Sequence, residues 1–433
     1  MDFVTAKKYL TALLQIDSVE SDPLPGKPFG EGVHTCLETA LRILQNEEFR
    51  VKNGNGYYGF GEIGEGDLFG ILCHLDVVPV GKGWTYPPFG AEEHDGKIYA
   101  RGALDDKGPF VAALYALTRL LDDGYVPKMR IRMILGCDEE SGWKCMDAYQ
   151  ENEEMPSVGI SPDGDFPVIN CEKGIVYHSI RYPKSDFYDY LQAGERANMT
   201  PAEAVARVRS SSDLQAYLLE REVPFTEENG YVTIKTFGVS SHGSHPEKGD
   251  NALLKVLDLL APFDGMAKEV RDAFGSYDGK GIGLCISDEK SGSLTLNLGI
   301  ARTEGNEIIF HLDVRHPVDY PKEYVTAALR KGLTGTVEET FFHLPLYVDK
   351  EHPLVTTLLA AYNKITGENA QPLSIGGGTY ARVLPMGVAF GPCFPESKAD
   401  IHCADEYIDL QEFKTMSDIY YEAFKNLCFV PNK

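Results

Sequence analysis

The sequence predicts an α/β protein: a discontinuous domain with a mixed sheet flanked by helices, interrupted by an inserted α+β unit. Three observations predict it. The first 175 residues alternate helical and strand signals, the next stretch is rich in long strand-like segments, and a His-bearing loop, KADIHCADEY, returns near the C-terminus. If that loop completes a site begun in the first third, residues 1–175 and 351–433 form one domain and 176–350 the insertion. The length of 433 residues also favours more than one domain.

Residues 3–16 and 31–48 carry apolar positions at helical spacing. LFGILCHLDVVPV, MRIRMILGCD and SVGISPDGD read as short buried strands, each running into an acidic or His-bearing loop. Between the first two, GPFVAALYALTRLL is an almost wholly apolar helix. Such strand–helix–strand alternation gives a parallel or mixed sheet, and functional groups gather at the carboxyl ends of its strands. In the insertion, GIVYHSIRYP, YVTIKTFGVSS, SLTLNLGIART and EIIFHLDVRHP read as strands, and PAEAVARVRSSSDLQAYLLE reads as a helix over 201–220. A last helix is expected near 411–427.

Composition narrows the function. Lys plus Arg is 41 against 65 for Asp plus Glu, a net charge of −24, which repels phosphate backbones and anionic lipid and argues against nucleic-acid and membrane partners. The N-terminal segment reads as an amphipathic helix, and no apolar run reaches the roughly 18 residues that span a bilayer. Nine cysteines without a C-x-x-C pair do not suggest a disulfide framework. A cytoplasmic location is expected.

The chemistry sits at strand ends. His74 and Asp76 are two apart on a strand and point the same way, as a ligand imidazole and the carboxylate that orients it would. Asp105-Asp106 opens the apolar helix, where a plain N-cap is the bland alternative. Asp138, Glu139 and Glu140 close a buried strand, with no basic residue until Lys144. Like charges so close repel unless a cation or a proton intervenes. Asp163 ends a third strand, and His402 lies in the returning loop. Two imidazoles and three hard oxygen donors suit Zn²⁺, Mn²⁺ or Co²⁺, and five ligands fit two ions sharing a carboxylate. Cys73, Cys137 and Cys403 are read as packing residues.

With those residues in view, the chain resembles the metallopeptidase family that contains aminoacylase, carboxypeptidase G, acetylornithine deacetylase and the carnosinases, in particular its PepV-type dipeptidases. The matching segments run from HLDVVPVGKGWTYPPFGAEEHDGKIYARGALDDKGP through ILGCDEESGWKC, SPDGDFPVINCEKG, RANMTPAEA, HGSHPEKGDNA, LDVRHP and IGGGTYAR to AFGPCFPESKADIHCADEYI. The resemblance implies that the discontinuous domain is catalytic and the insertion a lid. It implies two divalent ions, zinc first with manganese or cobalt as alternatives. Asp105 would bridge them beside a cis Asp105–Asp106 peptide, His74 and Asp163 would complete one site, and Glu140 and His402 the other.

The same resemblance implies that Asp76 orients His74, that Glu139 is the general base and that His242 polarises the tetrahedral oxyanion. Asn198 and Arg315 would hold a substrate carboxylate, while Gly377 and Gly378, after Gly376, would let backbone approach the substrate. It implies a dipeptide substrate and, because the insertion is larger than that of dimeric relatives, a monomer. Three rival readings remain: a deacylase of N-acyl amino acids on the same core, a non-catalytic binding protein, and a two-metal phosphoesterase. The last lacks an evident phosphate clamp.

Overall fold

The computed structural model describes residues 1–432 and divides into two compact units. One comprises Met1–Asn170, Val348–Leu373 and Thr379–Lys433; the other comprises Cys171–Tyr347 and Ser374–Gly378.

The first unit is built on a mixed sheet. Its strands lie in the order Arg50–Gly54, Tyr58–Ile63, Arg130–Gly136, Leu68–His74, Val158–Ser161 and Met386–Ala389. The last four run parallel, so their carboxyl ends open on one edge. Leu68–His74 is buried along its whole length, as a strand covered on both faces must be. Helices Phe3–Leu14, Glu31–Asn46, Lys107–Asp122, Pro353–Thr366 and Leu410–Cys428 supply the covering apolar faces. Two outer strands went unread in the sequence: Arg50–Gly54 is mostly exposed and polar, and glycine interrupts the apolar pattern of Tyr58–Ile63. A Cβ at Gly59 would lie 2.8 Å from Leu37, and one at Gly61 2.9 Å from Leu44, so glycine lets helix Glu31–Asn46 approach the sheet.

The second unit is an antiparallel eight-stranded sheet with helices Ser212–Glu220, Ala252–Leu260, Gly265–Phe274 and Lys322–Gly332. Here one expectation fails. Residues 201–220 are not one helix but a strand, Glu203–Arg209, followed by the helix Ser212–Glu220. Ala204, Ala206 and Val208 are buried at every second position against the sheet's own core. Tertiary burial at period two overrides the helix propensity of alanine and arginine. Ser211 then caps the new helix by accepting from Leu214 N.

Among the described residues, no helix is long and apolar enough to cross a membrane.

Candidate metal centre

Three of the four parallel strands of the first unit deliver a donor where they end. His74 is the last residue of its strand and is fully buried. Asp138, Glu139 and Glu140 follow Arg130–Gly136, and Asp163 follows Val158–Ser161. Asp105 lies in the turn before helix Lys107–Asp122, and the Asp105–Asp106 peptide is cis. His402 comes from the loop that precedes Tyr407–Asp409.

These groups converge. Asp105 Oδ1 is 2.8 Å from His74 Nε2, and Asp105 Oδ2 is 2.9 Å from His402 Nε2. One carboxylate therefore stands between two imidazoles that are far apart in sequence. His402 Nε2 also lies 3.1 Å from Glu140 Oε1, and His74 Nε2 lies 3.9 Å from Asp163 Oδ2. Ligand atoms of His74, Asp105 and Glu140 fall within 4.8 Å of one another, as do those of His74, Glu139 and Asp163.

The surrounding groups fix the donors. His74 Nδ1 lies 3.0 Å from the backbone carbonyl of Asp76, so in the neutral ring Nδ1 carries the proton and Nε2 faces Asp105 with its lone pair. The Asp76 carboxylate is farther from that ring, at 3.7 Å, and instead accepts from Glu140 N at 3.0 Å. Asp76 thus acts on His74 mainly through its carbonyl, and on Glu140 through its side chain. Asp106 accepts from His74 N at 3.1 Å. Asp138 receives Ser141 Oγ, Gly142 N and Lys144 N, which leaves Glu139 and Glu140 as the acidic pair of that turn facing the site.

The electrostatics describe a site with too much negative charge. Burial, then the neighbouring Asp105, pushes Asp163 up to about 7. Burial, then Asp163, holds Glu139 well above the usual carboxylate range, and burial raises Asp76 to about 6. Burial works against charge on His402, yet its hydrogen bonds to Asp105 and Glu140 raise it to about 11. Asp76 Oδ1 and Asp106 Oδ1 are buried without a hydrogen-bond partner. The buried Lys107 does not relieve this, because its ammonium donates to Leu13 O and Ile16 O at the end of helix Phe3–Leu14. Hard oxygen donors, imidazole nitrogens and uncompensated negative charge are what divalent cations require, so the residues fit such ions.

The other expected residues gather within the second unit. Gly243 N donates to Asn198 O at 2.7 Å, which sets Asn198 beside the His242 loop. His242 Nδ1 lies 2.7 Å from Ser244 Oγ and accepts from Ser244 N at 3.3 Å, which puts the ring proton on Nε2. Arg315 donates from Nε and Nη2 to both oxygens of Asp313, at 2.7 and 2.8 Å, and from Nη1 to Gly376 O at 2.9 Å. Gly377 and Gly378 continue that segment. His245 instead faces Glu247 on the surface.

Sequence reasoning missed Asp313, Ser244, Arg101 and Glu406. Asp313 was legible in principle, since on a strand it shares a face with Arg315 two residues later. Ser244 lies two residues after its partner His242, whereas Arg101 and Glu406 meet across a separation that no sequence spacing reveals.

Comparison with known proteins agrees with this architecture. The family model described as Peptidase family M20/M25/M40 matches residues 70–426. The Bacillus subtilis protein named "Putative dipeptidase YtjP" is 40% identical over 441 residues, covering 96% of this chain and 95% of that one. Two solved structures share the fold. One is an M20 family metallo-carboxypeptidase, Sso-CP2 from Sulfolobus solfataricus (TM-score 0.62, 17% identity, 98% of this chain and 99% of that one). The other is the di-peptidase Dug1p from Saccharomyces cerevisiae (TM-score 0.59, 15% identity, 98% and 96%).

Proposed function

The chain belongs to Peptidase family M20/M25/M40, a metallopeptidase family of hydrolases, and from that premise we propose that it hydrolyses unblocked dipeptides with two divalent ions. The observation that carries the reading is Asp105, one carboxylate within hydrogen-bonding distance of both His74 and His402. The name of the Bacillus subtilis relative supports a dipeptide substrate.

In this reading His74, Asp105 and Asp163 would hold one ion, and His402, Glu140 and Asp105 would hold the other, with zinc favoured over manganese or cobalt. Bound there, the ions supply the Lewis acidity that ionises water near neutral pH. Asp76 and Asp106 keep His74 and its strand end in place. Glu139 takes a proton from water as it attacks the amide carbon, then returns it to the leaving amine. A raised carboxyl pKa suits the return of the proton, because burial makes Glu139 a better proton acceptor than an exposed carboxylate. His242, with its proton on Nε2, donates to the developing oxyanion. Arg315, held by Asp313, and Asn198 bind the carboxylate of the substrate, and the segment Gly376–Gly378 presents backbone to it. The size of the inserted unit, Cys171–Tyr347, favours a monomer.

Deacylation of N-acyl amino acids on the same centre is the second reading, favoured only by the shared ligand set. Metal-reconstituted protein assayed with unblocked dipeptides and with N-acetyl amino acids separates them. Dipeptide turnover is expected, and hydrolysis of the N-acetyl compounds alone would assign the deacylase.

A further inference from the structure

The antiparallel ladder between Tyr407–Asp409 and Lys97–Tyr99 continues past its last pair. Tyr407 faces Tyr99, and Ala100 N then donates to Glu406 O at 3.0 Å. Beyond Ala100 the chain turns away from the ladder, and the Glu406 side chain takes over. Its Oε1 accepts from Leu104 N at 2.9 Å and from Asp105 N at 3.3 Å, and its Oε2 accepts from Arg101 Nη1 at 2.7 Å. Glu406 and Arg101 are each 1% exposed, so these contacts are made out of water, where a charge-assisted hydrogen bond is strong.

The contacts fall at an informative place. Asp105 lies in an irregular turn between the strand Lys97–Tyr99 and the helix Lys107–Asp122, so no regular ladder fixes its backbone. Glu406 is four residues from His402. Its neighbour Asp405 pins the same loop by accepting from Thr85 N and Thr85 Oγ1, both at 2.7 Å. Arg101 is held in turn over the Trp84 ring, 5.3 Å from its centroid. One buried carboxylate thus ties the turn that carries Asp105 to the loop that carries His402.

We propose that Glu406, neutralised by Arg101, is a positioning residue of the metal centre. It fixes the Asp105 backbone against the His402 loop so that a single carboxylate reaches both imidazoles. The inference rests on reading Asp105 and His402 as metal ligands. Coordination tolerates errors of only about 0.2 Å, and groups that orient ligands are typically worth about 10- to 100-fold in metal affinity.

Two substitutions isolate the role. Glu406→Gln keeps the size and one acceptor oxygen but sets an amide N–H₂ against the Arg101 guanidinium. Glu406→Asp keeps the charge and withdraws it by one methylene. The full chain, stripped with chelator, is titrated calorimetrically with Zn²⁺ and with Mn²⁺, and its melting is followed with and without metal. Both variants are expected to bind about 10- to 100-fold more weakly than the parent and to show a smaller rise in Tm on adding metal. At saturating metal, KM for a dipeptide should stay unchanged and kcat should largely recover. A residue that only supports the fold would lower Tm in chelator while leaving the metal affinity of the folded protein at the parental value, and that result overturns the proposal. Should Glu406→Gln not fold, Arg101→Lys carries the same expectation in the same titration. A parent protein that binds neither metal refutes the metal reading itself, whereas a parent that binds and variants that bind equally refute only the role of Glu406.

Discussion

Glu139 and Glu140 are adjacent acids with separate assignments, and Glu139→Gln tells them apart. Both can be grouped with His74, Glu139 together with Asp163 and Glu140 together with Asp105. It is Glu140 Oε1 that meets the second imidazole, 3.1 Å from His402 Nε2. Glu139 is held instead by its own turn, where Trp143 Nε1 donates to the Glu139 carbonyl at 2.8 Å. Burial, then the neighbouring Asp163, raises its carboxyl pKa well above the usual range. A general base contributes about 10²- to 10⁴-fold, or roughly 3 to 5 kcal/mol at 1.36 kcal/mol per decade. Glu139→Gln is isosteric and adds no charge to the crowded acidic turn, so folding and ion stoichiometry should survive. The assay pairs dipeptide turnover with metal analysis of the dialysed protein. Two ions per chain with kcat reduced at least 100-fold is the expected result. Loss of an ion would make Glu139 a ligand, and parental kcat would remove it from the chemistry altogether.

Three further outcomes are expected. Burial lowers His178 to about 4, with its Nε2 2.9 Å from Thr326 Oγ1, so the folded state resists the proton that the unfolded chain accepts near 6.5. The stability this group supports is intact above pH 6.5 and is lost progressively as pH falls toward 4, by at most about 3 kcal/mol. Urea unfolding of the parent and of His178→Gln at pH 7 and 4.5 should therefore converge or cross in acid, and an unchanged gap would contradict the assignment. Arg315→Lys removes the fork that engages Asp313 and Gly376, and KM for dipeptides should rise about 10- to 100-fold, from the roughly 1.5 to 3 kcal/mol of a charged hydrogen bond. Steady-state kinetics with unchanged KM would detach Arg315 from substrate. A Cβ at Gly159 would collide with the Gly70 carbonyl of the neighbouring strand, so Gly159→Ala should cost about 1 to 3 kcal/mol in urea unfolding, and a neutral result would mean that the two strands can part.

The legible parts of the sequence were those whose pattern is local. Leu68–His74 and Arg130–Gly136 are continuous apolar runs that end in acid or histidine, and the structure forms both strands. The helix Lys107–Asp122 follows directly from an apolar run opened by Asp105 and Asp106. Illegible elements depend on neighbours instead. Glu203–Arg209 became a strand because Ala204, Ala206 and Val208 meet a core assembled from distant segments. Arg50–Gly54 is a mostly exposed strand with no apolar pattern, and the glycines of Tyr58–Ile63 serve a packed helix instead of one. At the centre, residue type and position pointed to His74, Asp105, Glu139, Glu140, Asp163 and His402, and the structure brings their side chains together. Glu406 escaped notice because an acid in HCADEY looks solvated until its loop is folded against Arg101 and Asp105.

The most direct measurement is anomalous diffraction at the zinc edge from crystals of the zinc-loaded enzyme, scaled against the protein's metal content. Two peaks are expected on either side of the Asp105 carboxylate, one about 2.0 to 2.2 Å from His74 and Asp163 and the other at like distance from His402 and Glu140. A single peak that excludes His402, or peaks that leave Asp105 outside coordinating distance, would contradict the proposed dinuclear centre.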